Sequence, residues 1–165
     1  AFSDEYLATI VERLYRDTLG RGGSAREVGY WVGRLQAGMQ VARLAGEFYA
    51  SQEYFDGIGG GTTRSWIADL YTKVLGRAAS SSDLDYWAGQ TATLGRVRVA
   101  HRIYQSAESR TTRVRRLYQE LLGRNGGTTD VAYWAERIRK EGDVFLAVAI
   151  AASEEYFDRA QTRFG

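Results

Sequence analysis

The chain has 165 residues, with 22 basic and 20 acidic side chains and a formal net charge of +2. This balance is ordinary for a globular protein and gives no clustered basic stripe, so we expect no nucleic-acid partner. Cysteine is absent, which excludes disulfides, thiolate nucleophiles and cysteine-bound metal. No apolar run of about 18 residues is present, so no membrane span is predicted. The start at Ala1 without methionine indicates a processed or excised piece of a longer protein.

The N-terminal third of the chain predicts three helices separated by polar caps and glycines. Ser3 caps the first helix, and Gly20 ends it because glycine adopts the left-handed conformation that closes helices. Ser24 and Glu27 have the spacing of a capping box that opens the second helix. Ser51 caps a short terminal turn, called the stub. The predicted helices run over about residues 3–19, 24–37 and 41–50, and a glycine-rich linker follows at 57–61.

The same plan returns twice, and no segment alternates apolar and polar residues as strands do. The expected helix caps are Thr63 or Ser65, then Ser82-Asp83, then Thr129-Asp130, and a helix is expected from Thr112 to Leu122. The sequence therefore predicts an all-α fold of three helical repeats, each of about three helices plus a stub. We expect one compact domain over residues 1–165, with repeats at about 3–57, 63–110 and 111–160.

One motif carries the recurrence: Leu-Tyr, three residues, Leu-Gly-Arg, a short loop and then Tyr-Trp. Sixteen positions separate the first tyrosine from the tryptophan in every copy. Recurrence of several residue types at fixed spacing indicates one structural unit used three times. The copies are Leu14-Tyr15 to Arg21 with Tyr30-Trp31, Leu70-Tyr71 to Arg77 with Tyr86-Trp87, and Leu117-Tyr118 to Arg124 with Tyr133-Trp134.

The arginine of each copy has a candidate partner in a glutamate that follows the capping serine of each stub. We predict structural Arg–Glu pairs, which would cost on the order of 3 kcal/mol to break if partly buried. The alternative is solvated charges worth well under about 1 kcal/mol. The arginines are Arg21, Arg77 and Arg124, and the glutamates are Glu53, Glu108 and Glu155.

The paired aromatic residues favour packing, because they lie on the apolar face of an amphipathic helix. The alternative is a ligand site, since aromatic rings beside arginine or acidic groups suit polyhydroxyl ligands such as sugars. The candidate ligand-binding residues are Tyr30, Trp31, Tyr86, Trp87, Tyr133 and Trp134.

Catalytic patterns are not found in the sequence. His101 is the sole histidine and is expected at the surface or as a hydrogen-bonded core residue. Neither a nucleophile elbow nor a metal-binding histidine spacing occurs, and residues 57–61 lack the lysine of a phosphate loop. We therefore expect a protein that is not an enzyme, with no catalytic residue, no metal and no cofactor.

The LY-LGR segment, the YW pair and the stub sequence resemble a bacterial domain-of-unknown-function repeat found in secreted, surface-layer and RTX-type calcium-repeat proteins. The stubs at 51–55 and 153–157 match this pattern, whereas Ser109-Arg110 replaces its Tyr-Phe. The family's loop prolines are missing here, and of its glycines before YW only Gly29 is kept. The resemblance brings no catalytic residues.

What the resemblance implies is an exported, non-enzymatic module at the bacterial cell surface or outside the cell. The leading hypothesis is attachment of a secreted or surface protein to cell-envelope polysaccharide. The alternative is a protein–protein assembly scaffold, including surface-layer or linker-like self-association. The two differ in what they expose: a ligand site brings aromatics and polar groups into a concavity, whereas an assembly site exposes an apolar patch.

Overall fold

The computed structural model describes residues 3–164, and the regular structure in that range is entirely helical. This confirms the predicted all-α fold class. The helices are α1 Asp4–Leu14, α2 Ala25–Gln36, α3 Val41–Tyr49, α4 Thr63–Leu70, α5 Ser81–Leu94, α6 Arg96–Gln105, α7 Ala107–Leu122, α8 Thr128–Glu141, α9 Asp143–Ala151 and α10 Glu154–Phe164.

Several helices begin after a residue whose side chain accepts a hydrogen bond from an amide of the first turn. Ser3 accepts from the Tyr6 amide, and Ser24 and Glu27 form the predicted capping box. The expected caps of the other repeats are wrong by one to three residues. α4 is capped by Thr62, because its hydroxyl accepts from the Ser65 amide. The structure thus excludes Thr63 and Ser65 as the cap.

The helices that carry the Tyr-Trp pairs of repeats 2 and 3 also begin earlier than predicted. Ser80 is the cap of α5, since its hydroxyl accepts from the Asp83 amide while the Asp83 carboxylate accepts from the Ser80 amide. Gly127, in extended conformation and with no side-chain cap, precedes α8. The predictions of Ser82-Asp83 and Thr129-Asp130 as caps are therefore wrong.

The helices of the first two LGR motifs end in π-helical segments rather than in plain α-helix. These segments are Tyr15–Leu19 and Tyr71–Leu75. The Thr18 hydroxyl donates to the Leu14 carbonyl at 2.5 Å and is fully buried in the first of them. A left-handed glycine closes each motif, as predicted: Gly20, Gly76 and Gly123 have φ values of 65°, 69° and 66°.

The chain divides into two compact units between Gln105 and Ser106. Unit 1 contains repeat 1 and the three helices of repeat 2, α4 to α6, and α3 and α6 pack closely within it. Gly46 of α3 permits the approach, because a Cβ there would lie 3.1 Å from the backbone nitrogen and Cβ of His101. The prediction of one domain and the predicted repeat bounds stay predictions.

Unit 2 contains repeat 3 and has its own apolar core. α7, α8 and α9 enclose this core, which includes Leu117, Leu146 and Ile150. At one side of it, the largely buried Arg113 donates to Asp143 and to Ser109 and so links α7 to the start of α9.

The stubs differ among the three repeats. In repeat 1 the stub is a π-helical segment, Tyr54–Ile58, while in repeat 3 it is the eleven-residue helix α10. In repeat 2 the stub is the first turn of α7, which begins at Ala107 rather than near Thr112 as predicted. Continuous helical hydrogen bonding from Ser106 onward leaves no break between stub and helix, since the Arg110 amide donates to the Ser106 carbonyl.

Candidate functional site

The first tyrosine of each LGR motif receives a hydrogen bond from the tryptophan sixteen residues later. Trp31 Nε1 donates to the Tyr15 hydroxyl at 3.2 Å, and Trp87 Nε1 donates to the Tyr71 hydroxyl at 2.7 Å. In repeat 3, burial raises the pKa of Tyr118, and a hydrogen bond from Trp134 acts in the opposite direction. The sixteen-residue spacing therefore places the tryptophan where its hydrogen bond to the tyrosine links the two helices on either side of the Gly-Arg loop.

The arginine of each motif lies over the face of the same tyrosine. The guanidinium carbons of Arg21, Arg77 and Arg124 lie 5.0, 4.9 and 5.3 Å from the centroids of their tyrosine rings. Such contacts contribute about 0.5–1 kcal/mol at exposed sites. The recurring residues thus form one assembly per repeat, in which the tyrosine is held between an indole and a guanidinium.

Arg21 also joins two carboxylates from different elements. It donates to both oxygens of Glu53, at 3.0 Å each, and to both oxygens of Glu27 at 3.2 and 3.3 Å. Hydrogen bonds from Arg21 are the main reason why the pKa of Glu27 falls to about 2 and why the pKa of Glu53 lies below its usual value. The loop after Gly20 is thereby tied to the stub and to α2.

The other two arginines differ in their partners. Arg124 makes two parallel bonds to Glu155, of 2.5 and 2.9 Å, and these bonds lower the pKa of Glu155. Arg77 donates to Asp83 at 3.2 Å, the residue that occupies the position of Glu27. Arg77 and Glu108 belong to different units, and their pairing stays a prediction.

In each Tyr-Trp pair, the tyrosine ring is exposed and the tryptophan ring is half-buried. Trp31, Trp87 and Trp134 are all half-buried. The adjacent tyrosines are more than half exposed and meet the indoles edge-on, with ring centroids 4.9–5.1 Å apart; they are Tyr30, Tyr86 and Tyr133. The indoles therefore serve the packing of each repeat and keep part of their surface open to solvent.

The structure brings one of the predicted ligand-binding residues, Trp31, into a cleft of about 170 Å³ in unit 1. Its apolar wall continues through Phe48, whose ring centroid lies 5.6 Å from that of Trp31 and 4.6 Å from that of Tyr15. Tyr30 is not among the residues that form this cleft. The complete lining is Tyr15, Leu19, Arg21, Trp31, Glu47, Phe48, Ser51 and Glu53.

Polar groups surround the mouth of the cleft. The Glu47 carboxylate is held by Arg43 at 3.2 Å on the same helix, and its side chain is 28% exposed. The Ser51 hydroxyl donates to the Phe48 carbonyl at 2.7 Å and caps the stub. An aromatic floor with a few fixed polar groups is the usual composition of a small-molecule site.

Sequence reasoning missed Glu47, Phe48 and Ser51 as cleft residues, and it assigned Ser51 only to a helix cap. Ser51 does cap the stub, and it also lines the cleft. A comparison of the repeats could have pointed to these residues, because repeat 2 has Arg102 and Ile103 at the positions of Glu47 and Phe48. The lining differs among copies whereas the Tyr–Trp–Arg assembly does not.

His101, the sole histidine, lies half-buried on α6 against Gly46. Its Nε2 is buried and has no hydrogen-bond partner within residues 3–164, so it is neither a surface nor a hydrogen-bonded core residue. Burial lowers the pKa of His101, and the nearby Arg43 lowers it further. The position contributes to the packing of α3 and α6.

Two features that residues 3–164 lack bear on the predicted partners. That part of the chain has no group of three or more His, Asp or Glu side chains arranged to hold a metal ion. None of its helices combines the length and apolar character that crossing a membrane requires.

Residues 45–112 match the family model described as Domain of unknown function (DUF4214). The matched segment begins within α3, includes the whole second LGR-to-YW motif and ends within α7, and it covers less than half of the chain. No curated protein and no solved structure matches the chain. The chain is thus similar, over this segment, to a domain whose description names no activity, and its function must be argued from the site.

Proposed function

We propose that the protein is a non-enzymatic binding module that attaches a secreted or surface protein of a bacterium to cell-envelope polysaccharide. The observation that carries this proposal is the cleft beside Trp31, where an aromatic floor meets a polar rim. The sequence resemblance to repeats of surface proteins supports the location outside the cell. Neither that resemblance nor the match to a domain of unknown function names a ligand, so the ligand class rests on the cleft.

The chemistry of the cleft suits a sugar ring. A pyranose has an apolar face of C–H groups, which would stack on the open part of the Trp31 indole, and an edge of hydroxyls, which would meet the polar rim. Glu47 and Glu53 are fixed acceptors for such hydroxyls, and Arg21 holds the Glu53 carboxylate in place. Because ligand pockets usually measure about 300–1,000 Å³, a cleft of about 170 Å³ holds a single ring of a longer chain.

Binding rather than hydrolysis fits the charges around the cleft. A glycoside hydrolase needs one carboxyl group whose pKa is raised so that it can donate a proton. Arg21 instead lowers the pKa of Glu53, which keeps that group ionised. Glu53 therefore accepts hydrogen bonds at the rim and does not supply the proton that hydrolysis needs.

The proposal is tested by titrating a panel of bacterial surface polysaccharides against the intrinsic tryptophan fluorescence and by calorimetry of those that respond. We expect Glu47→Gln to weaken binding about tenfold, the effect of one charge-assisted hydrogen bond. Glu141→Gln is the matched control, because Glu141 also pairs with an arginine one helical turn away and is 27% exposed. Equal affinity of the two variants, or no response to any polysaccharide, would refute the proposal.

A second pair of variants separates stacking from packing. Trp31→Phe and Trp87→Phe each remove an indole that donates to a tyrosine hydroxyl, so both lose the same structural hydrogen bond. We expect only Trp31→Phe to weaken polysaccharide binding, by about tenfold. If both variants bind as the unaltered protein does, the cleft beside Trp31 is not the site.

Protein–protein assembly is the second candidate function. It is favoured by a separate observation, an exposed apolar face on α9, which is the subject of the next inference.

A further inference from the structure

The third helices of the three repeats, α3, α6 and α9, occupy equivalent places in the sequence. Each is followed by the capping serine of a stub, and these serines are Ser51, Ser106 and Ser153. Counting back five residues from each serine gives Gly46, His101 and Val148. The same counting pairs Tyr49 with Tyr104 and Ala151, and Ala45 with Ala100 and Ala147.

In unit 1, α3 and α6 pack on each other through these equivalent positions. Gly46 lies against the backbone of His101, and the ring centroids of Tyr49 and Tyr104 are 6.2 Å apart. Contact between equivalent residues is the mark of an isologous interface, in which one surface meets a copy of itself about a two-fold axis. Repeats 1 and 2 therefore pair as a pseudo-symmetric dimer within one chain.

The corresponding face of α9 is exposed. Ala45, Ala100, Tyr49 and Tyr104 are buried in unit 1, whereas Ala151 is exposed and Val148 is 53% exposed. α9 carries no charged residue after Asp143, and its remaining eight residues are all apolar. An exposed apolar face without charges typically marks an interaction surface.

We propose that this face, formed by Val148, Ala151 and Ala152, docks against the same face of a second copy of the chain. The occupant follows from the chain's own architecture: the equivalent face in repeats 1 and 2 is covered by its own counterpart, and repeat 3 is the unpaired member of an odd set. Two α9 helices crossing at Val148 reproduce the pairing of α3 with α6. This interface lies on unit 2 and is independent of the cleft in unit 1.

The side chains set the geometry and the strength of this dimer. In unit 1 a glycine meets a histidine, whereas here two valines meet on the axis, so the α9 backbones lie further apart than those of α3 and α6. The alanines on either side let the helices approach around the valines. One short helix per partner gives a small interface, of the weak and transient class that buries less than about 1,200 Å².

Cross-linking tests the contact directly, because the chain has no cysteine of its own. Val148→Cys places a single thiol on the proposed axis, where the two Cβ atoms fall near the about 3.5–4.5 Å separation that a disulfide needs. In a glutathione redox buffer we expect a covalent dimer of Val148→Cys. The matched control is Ile58→Cys, which replaces an exposed aliphatic residue of unit 1 and should stay monomeric.

A second measurement tests the proposal even if Val148→Cys does not fold. Sedimentation equilibrium of the unaltered chain, up to about 0.5 mM, should detect a dimer with a dissociation constant as weak as about 1 mM. Val148→Asp sets two carboxylates face to face and should abolish the dimer while Ile58→Asp preserves it, with helical circular dichroism unchanged in both. A monomer at every concentration, or cross-linking no greater for Val148→Cys than for Ile58→Cys, would overturn the proposal. Polysaccharide binding by Val148→Asp should equal that of the unaltered chain, which separates this proposal from the proposed function.

Discussion

At the scale of single residues, Arg21 shows how much the recurring charges contribute. Its side chain is 39% exposed and that of Glu53 is 50% exposed, so water screens the pair. Exposed ion pairs are worth about 0–1 kcal/mol, against the about 3 kcal/mol that a partly buried pair would lose on being broken. The bidentate geometry and the contact with Tyr15 place Arg21 near the top of the lower range.

We predict that Arg21→Ala lowers the free energy of unfolding by about 1 kcal/mol, because it removes the ion pairs and the cation–π contact together. Urea denaturation followed by circular dichroism measures the change. Arg34→Ala, at an exposed position on α2, is the control and should stay within about 0.5 kcal/mol of the unaltered chain. Equal stability of the two variants would show that the Arg21 contacts are without energetic effect.

The same contacts predict a pH dependence. The pKa of Glu27 is about 2 in the folded chain and 4.5 as a reference, so its contribution is complete above pH 4.5 and is lost as the pH falls towards 2. The difference in unfolding free energy between the unaltered chain and Arg21→Ala should therefore shrink as the pH is lowered through this window at low salt. A difference that stays constant from pH 5 to about 2.5 would contradict the assigned cause.

At the scale of elements, the glycines that end the LGR helices act through backbone conformation. Gly20 has φ of 65°, and a Cβ built there meets no atom within 4 Å. Gly33, within α2, also has open space around its Cβ but lacks a positive φ. The two sites therefore differ in conformation and not in crowding.

We predict opposite effects of alanine at these two sites. Gly20→Ala should lower the free energy of unfolding by about 1 kcal/mol, because an L-residue is strained in the left-handed region. Gly33→Ala should raise it by about 0.5–1 kcal/mol, because alanine loses less backbone entropy in a helix. Thermal and urea unfolding of both variants measure the two signs. Destabilisation by both would indicate that crowding rather than φ governs these positions.

Helix ends were predictable where one residue type determines them, as at Gly20 and at the Ser24–Glu27 capping box. Cap positions were missed where several neighbouring residues have hydroxyl groups, as with Thr62, Thr63 and Ser65. Which of these residues caps the helix depends on the backbone conformation of the preceding loop. The π-helical segments were not predictable, because the spacing of apolar residues indicates which face of a helix is buried. It does not indicate the hydrogen-bonding pattern of the last turn.

At the scale of the whole molecule, the all-α class was predictable because helix caps recur along the chain and no segment alternates apolar and polar residues as strands do. The cleft was not, since it depends on how α3 docks beside the Tyr–Trp–Arg assembly and brings Glu47 and Phe48 next to Trp31. The exposed face of α9 was missed for a related reason. Its sequence reads as a core helix, and only the pairing of α3 with α6 identifies what its equivalent surface contacts.

In the proposed function, the residues that the repeats share form the scaffold, and the residues that distinguish repeat 1 bind the ligand. The four tryptophans give four indole N–H signals in a two-dimensional NMR spectrum of the ¹⁵N-labelled protein, each assignable by substitution. On addition of a polysaccharide that binds, we expect the Trp31 signal to shift, while the signals of Trp66, which is buried on α4, and of Trp87 stay in place. Equal shifts of all three signals, or shifts that spare Trp31, would contradict the proposed function.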